Sequence, residues 1–240
     1  VVIGILIVLS INNWNVNRLE KIEEQSILSN LHNEFSQNKI ALKTIIETVD
    51  TSLKADFKIM DLIGQSKEKL KLINTDSILS HSYYYKKFNP SENALTGLIQ
   101  SGRLQLLQNE KLKYVLYDWS RIMLTADGLF EDLDVKIEND VTPYLTKNHS
   151  LKDIDFYGDL KWKTKSVLKI DKLKIFEDIE YENLMDDLIY RKRAYYIALT
   201  TAANIIDSII SETKPEWYSF SEKSTLQNRL QNFSAFRTML

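Results

Sequence analysis

The sequence predicts an all-α protein in which an N-terminal transmembrane helix continues into an elongated, coiled-coil-like helical bundle. Three observations point there. Gly (6) and Pro (3) are scarce in 240 residues, whereas turn-rich β folds consume both. Apolar residues, 44% of the chain, recur at alternating spacings of three and four over long stretches. The chain also opens with an apolar run, Val1 to Ile11, closed by Asn12-Asn13-Trp14-Asn15.

The opening run is read as the C-terminal half of a transmembrane anchor, residues 1–14. Eleven residues rise roughly 16 Å as a helix, about half the hydrocarbon thickness, so the other half of the span is expected before Val1. The anchor residues are Val1, Val2, Ile3, Ile5, Leu6, Ile7, Leu9 and Ile11, with Trp14 at the interface. A signal-peptide core would need a basic flank and a small-residue cleavage site, which Asn-Asn-Trp-Asn does not supply. A buried soluble helix would carry some polar face. No second span is expected, because the stretch Ile197 to Ile210 contains Asn204 and Asp207.

Residues 15–73 read as a long amphipathic helix. Its packing seam is Leu28, Leu31, Phe35, Asn38, Leu42, Ile45 and Val49, continued by Leu53, Phe57, Met60 and Ile63 as far as Gly64. Glu34, Lys39, Lys43, Glu47 and Lys54 are assigned to the opposite, polar face. Asn38 either fixes register within the seam or faces solvent at a bundle edge.

A helical bundle is expected over 74–215, with an irregular segment at 148–176. Residues 74–93 read as a connector holding Ser80-His81-Ser82 in a loop, and Ser91 reads as the N-cap of a helix that Gly102 ends. Asn109 should cap the next helix. Its stripe of Leu112, Leu116, Trp119, Met123, Ala126, Phe130, Leu133, Ile137, Val141 and Tyr144 keeps one period for more than thirty residues. Lys161-Trp162-Lys163-Thr164-Lys165 alternates as a short strand or extended segment would. A last long helix carries Ile179, Leu184, Leu188, Tyr195, Leu199, Ala202, Ile206 and Ile209. Residues 216–240 form a C-terminal tail with the aromatics Trp217, Tyr218, Phe220, Phe233 and Phe236.

Several chemistries are excluded by composition. Net charge is −2, with 31 basic against 33 acidic residues, so the basic excess of a nucleic-acid binder is missing. The absence of cysteine removes disulfides, thiolate metal sites and cysteine nucleophiles. A helical di-metal site would place Glu three residues before His, but His32, His81 and His149 are preceded at that distance by Ser29, Ile78 and Thr146. The scattered glycines build no phosphate loop. No catalytic residue, cofactor or metal ligand is therefore assigned, and no enzyme is expected.

What remains is charge and aromatic patterning. Acidic blocks at 127–140 and 177–187 alternate with a lysine-rich block at 161–174 and with Arg191-Lys192-Arg193. The blocks either neutralise one another within the fold, form a solvated face, or leave a basic patch, Lys161, Trp162, Lys163 and Lys165, for anionic lipid head groups or an acidic partner. Tyr83-Tyr84-Tyr85 is either core packing or a partner anchor.

Two segments carry a family resemblance. The run V-V-I-G-I-L-I-V-L-S-I-N-N-W-N (Val1 to Asn15) resembles the anchor of uncharacterised single-span inner-membrane proteins of Bacteroidota. The stretch from Asn89-Pro90-Ser91 through Ala94-Leu95, Leu98 to Leu104 and Leu107 to Leu112 is similar to that family's helix, Ser-Gly break and second helix opened by Asn or Asp. Leu95 departs from the aromatic usual after the Ala. The resemblance implies a short basic cytoplasmic N-terminus, one span and a periplasmic helical domain, with no activity to carry over. The expected function is a non-catalytic, membrane-anchored scaffold or accessory subunit of a membrane protein assembly. Its partners would be the lipid bilayer and other membrane proteins or a second copy, with no nucleic acid. The alternative is an extracytoplasmic helical sensor or ligand-binding domain.

Overall fold

The computed structural model describes residues 2–214, and every regular element among them is helical. The tail aromatics and Val1 lie outside the described residues. Helix α1 runs unbroken over Val2–Leu62. Gly64 follows at φ +74°, a left-handed conformation that costs glycine little, and its N–H bonds the Phe176 carbonyl at 2.8 Å. Short helices α2 (Lys67–Leu70), α3 (Thr75–Ser82) and α4 (Asn93–Gln100) come next. A 3₁₀ turn at Arg103–Leu106 opens at left-handed Gly102. Then come α5 (Glu110–Lys136), a π turn at Ile137–Val141, α6 (Thr142–Asn148), α7 (Leu151–Asp155), a 3₁₀ turn at Lys174–Glu177 and α8 (Ile179–Glu212). No helix of the described residues is long and apolar enough to cross a membrane.

Several expectations are corrected. The 74–93 connector contains α3, so Ser80-His81-Ser82 is helical, with Asn74 as the N-cap accepting from the Ser77 N–H. The helix that carries the stripe from Leu112 is not α throughout, because Pro143 has no N–H and its ring crowds the carbonyl four residues back, yet Ile137, Val141 and Tyr144 stay buried in step with the stripe. The chain widens just before Pro143, with the Thr142 N–H reaching the Ile137 carbonyl in a π turn. Lys161 to Lys165 forms no strand; Lys161 itself is left-handed, at φ +49°. Ile179 is exposed.

The seam of α1 also differs from the apolar reading beyond Val49. Leu31, Phe35, Asn38, Leu42 and Val49 are buried, and Leu28 and Ile45 are half-buried. Strict alternation of four and three then continues through Ser52, Asp56 and Ile59, all fully buried, while Phe57 is 50% exposed. Two seam positions are polar, so following hydrophobicity slides the stripe by one residue.

The chain divides into two compact units. Among the described residues the first comprises 2–39, 91–118 and 205–214. Its core includes Leu31, Phe35, Leu95, Leu98, Leu112, Ile206 and Ile209. Glu34, expected on the polar face, is instead buried and accepts the Ala94 N–H at 2.8 Å and the Leu95 N–H at 3.2 Å. It thus supplies the cap that α4 lacks, since the N-cap residue is Glu92 and makes no side-chain cap bond. Asn38 is likewise inside. Its amide donates to the Ser91 carbonyl (2.7 Å) and accepts the Ser91 N–H (2.8 Å).

The second unit comprises 40–90 and 119–204. Its core is aromatic: Phe88 meets Trp119 edge-on, Phe130 meets Tyr195, and Tyr144 stacks on Tyr181 at 5.3 Å between ring centres. Within it, α8 buries Tyr181, Met185, Leu188, Lys192, Tyr195, Leu199 and Ala202, another run of alternating fours and threes.

Candidate functional site

Three places could carry function: the apolar start of α1, a buried polar system, and the segment 160–172. At the start of α1, Ile3, Ile5, Leu6, Ile7, Val8, Leu9 and Ile11 are all more than half exposed, as is Trp14 at 66%. They surround the helix rather than forming one stripe. Val16, Leu19 and Ile22 also remain exposed farther along.

The buried polar system centres on Lys192, the middle residue of the Arg191-Lys192-Arg193 block, which is fully enclosed. Its ammonium donates to Asp56 Oδ2 (2.5 Å), Ser52 Oγ (2.8 Å) and the Ser82 carbonyl (2.9 Å). Ser82 Oγ donates to the other Asp56 oxygen at 2.5 Å. Burial pushes the Asp56 carboxyl up and the Lys192 ammonium down, against the attraction between them. Every Lys192 proton has an acceptor, so the pair is a structural lock between α1, α3 and α8.

The segment 160–172 is tied to a second polar cluster. Lys165 (2.8 Å) and Lys172 (3.0 Å) both donate to Asp76, Lys172 also pairs with Asp153, and the Ser166 N–H donates to Asp153 at 2.6 Å. Lys165, assigned above to a basic patch, is thereby engaged inward, with its ammonium 4.8 Å from the Tyr157 ring centre. Lys161 and Lys163 are exposed, and Lys152 lies over the Trp162 ring at 5.7 Å. Burial pushes Asp153 up, but the Lys172 and Ser166 hydrogen bonds outweigh it and hold the carboxyl below its usual range.

His149 is buried beside this cluster. Its Nδ1 faces the Ser150 carbonyl at 3.3 Å and its Nε2 lies 3.5 Å from Asp76 Oδ1 without a hydrogen bond. Burial holds it below the ordinary histidine value. His32 meets the Thr213 hydroxyl (3.2 Å), and the exposed His81 meets the Ser77 carbonyl. No group of three or more metal-ligating side chains converges among the described residues.

The charge blocks pair in part across the fold. Lys136 bridges Asp140 and Asp187 (2.8 Å each), Arg191 reaches Asp187, and Lys87 reaches Asp127. In the tyrosine run, Tyr83 bonds Thr142 and Tyr85 donates to Asp134, while Tyr84 stays exposed under Lys86. An open cleft of about 470 Å³ is lined by Thr44, Thr48 and Thr51 of α1 and by Tyr84, Tyr157 and Asp159.

Sequence reading missed Asp56, Ser52, Lys192, Asp76 and Asp153. For Asp56 and Lys192 a signal existed: each interrupts an apolar seam at a heptad position, with opposite charge.

These features define an all-helical protein with polar locks inside and one apolar helix end outside. The chain belongs to DUF6090, a family of unknown function, whose pattern matches residues 1–190. No curated protein and no solved structure matches it.

Proposed function

We propose that this protein is a membrane-anchored helical scaffold or accessory subunit of a membrane assembly, without catalysis of its own. Its first helical residues lie in the inner membrane and its helical bulk in the periplasm, as the resemblance to single-span Bacteroidota proteins implies. One observation carries the reading: the start of α1 is apolar on every side, and no described residue covers it. Removing those aliphatic side chains from water is worth on the order of 10 kcal/mol. Lipid supplies that gain without any partner surface, and Trp14 falls where interfacial aromatics sit. Residues 2–11 account for about half the hydrocarbon thickness. The exposed Val16, Leu19 and Ile22 are then the contact surface for a second copy or another membrane protein.

Carbonate washing of membranes that hold the full-length protein tests the anchor. The protein stays in the pellet and is released by detergent; recovery in the wash overturns the reading. Co-purification from native membranes tests the scaffold role, which a stoichiometric protein partner supports. The cleft beside Tyr84 and Tyr157 favours a second reading, a ligand-binding sensor, for which a lone monomer carrying a small molecule would speak.

A further inference from the structure

The segment 160–170 turns the usual pattern inside out. Lys165 is directed at buried Asp76, while Val167 and Leu168 stand 90% and 79% exposed. Leu160, Trp162 and Ile170 are exposed beside them. The geometry is held rather than loose, since the Ser166 N–H is fixed by Asp153 and the Leu168 N–H by Ser166 Oγ. The same segment carries Lys161, Lys163 and Lys169, which are exposed and pair with no carboxylate of the described residues. Lys161 keeps a side chain at a left-handed position where glycine would be less strained.

We propose that this segment docks on an anionic phospholipid surface, with Val167 and Leu168 entering the acyl boundary and Lys161, Lys163 and Lys169 meeting head-group phosphates. Protruding aliphatic tips, a tryptophan and lysines without arginine match the chemistry of an interfacial lipid contact. A protein interface core favours arginine and depletes lysine. The proposal stands independently of the N-terminal anchor, because its probe lies in a different part of the chain.

The chain lacks cysteine, so Leu168→Cys accepts a single environment-sensitive fluorophore in the full-length protein held in neutral nanodiscs. Vesicles rich in phosphatidylglycerol should shift its emission to the blue and raise it, and pure phosphatidylcholine should not. Lys161→Gln, Lys163→Gln and Lys169→Gln together should weaken the response by roughly 100-fold, and added salt should weaken it in the parent protein. Lys161→Gly relieves backbone strain, so its weaker response cannot be ascribed to unfolding. Equal response to both lipids, or to neither, overturns the proposal. A response to an acidic polypeptide but not to vesicles overturns it in favour of a protein partner.

Discussion

Lys192 and Asp56 show what a single charge costs inside this protein. Both are fully buried, and each satisfies the other with help from Ser52 and Ser82. Lys192→Met leaves the Asp56 carboxylate enclosed without a counter-charge and should lower unfolding stability by about 3–5 kcal/mol. Adding Asp56→Leu removes the stranded charge and should recover most of the loss; denaturant titration of the single and double variants checks both. Asp153 gives a pH signature. Its carboxyl is held below the ordinary value in the folded chain, so its contribution is complete above the unfolded value of about 4 and is lost as pH falls through the folded one. Asp153→Asn should flatten the acid side of a Tm-against-pH curve. An unchanged slope would mean that Lys172 and Ser166 do not stabilise the charged form.

At the scale of elements, polar side chains on α1 organise the helices that follow. Glu34 caps α4 from another helix, its carboxylate meeting backbone N–H groups where the helix dipole is positive. Glu34→Ala should cost about 1–2 kcal/mol. Faster amide exchange at Ala94 and Leu95 would localise the loss to the start of α4. Such caps explain what could be read in advance. Helix character, the ends at Gly64, Gly102 and Asn148, and the cap at Asn109 follow from local chemistry and stand in the sequence. Glu34 as a remote cap does not, since local rules nominate Ser91. The Asp56–Lys192 lock was half legible. Seam positions occupied by Asp56 and Lys192 break two apolar stripes with opposite signs, but hydrophobic pattern alone steps over both.

For the molecule as a whole, the alternating charge blocks are in part spent within the fold. The bridges from Lys136 to Asp187 and from Lys87 to Asp127 join segments far apart in sequence, whereas Arg191 meets Asp187 within one turn of α8, and exposed pairs of this kind add little stability each. What they do not absorb is the apolar end of α1. The proposed anchor puts this end in hydrocarbon, and spin-label accessibility tests that placement most directly. A nitroxide on Leu6→Cys, in the full-length protein in lipid, should be relaxed strongly by oxygen and weakly by a water-soluble nickel complex, with the reverse at Gln25→Cys. Strong relaxation by nickel at position 6 would place that end in water. Weak relaxation by both reagents would place it inside protein, and either result contradicts the account.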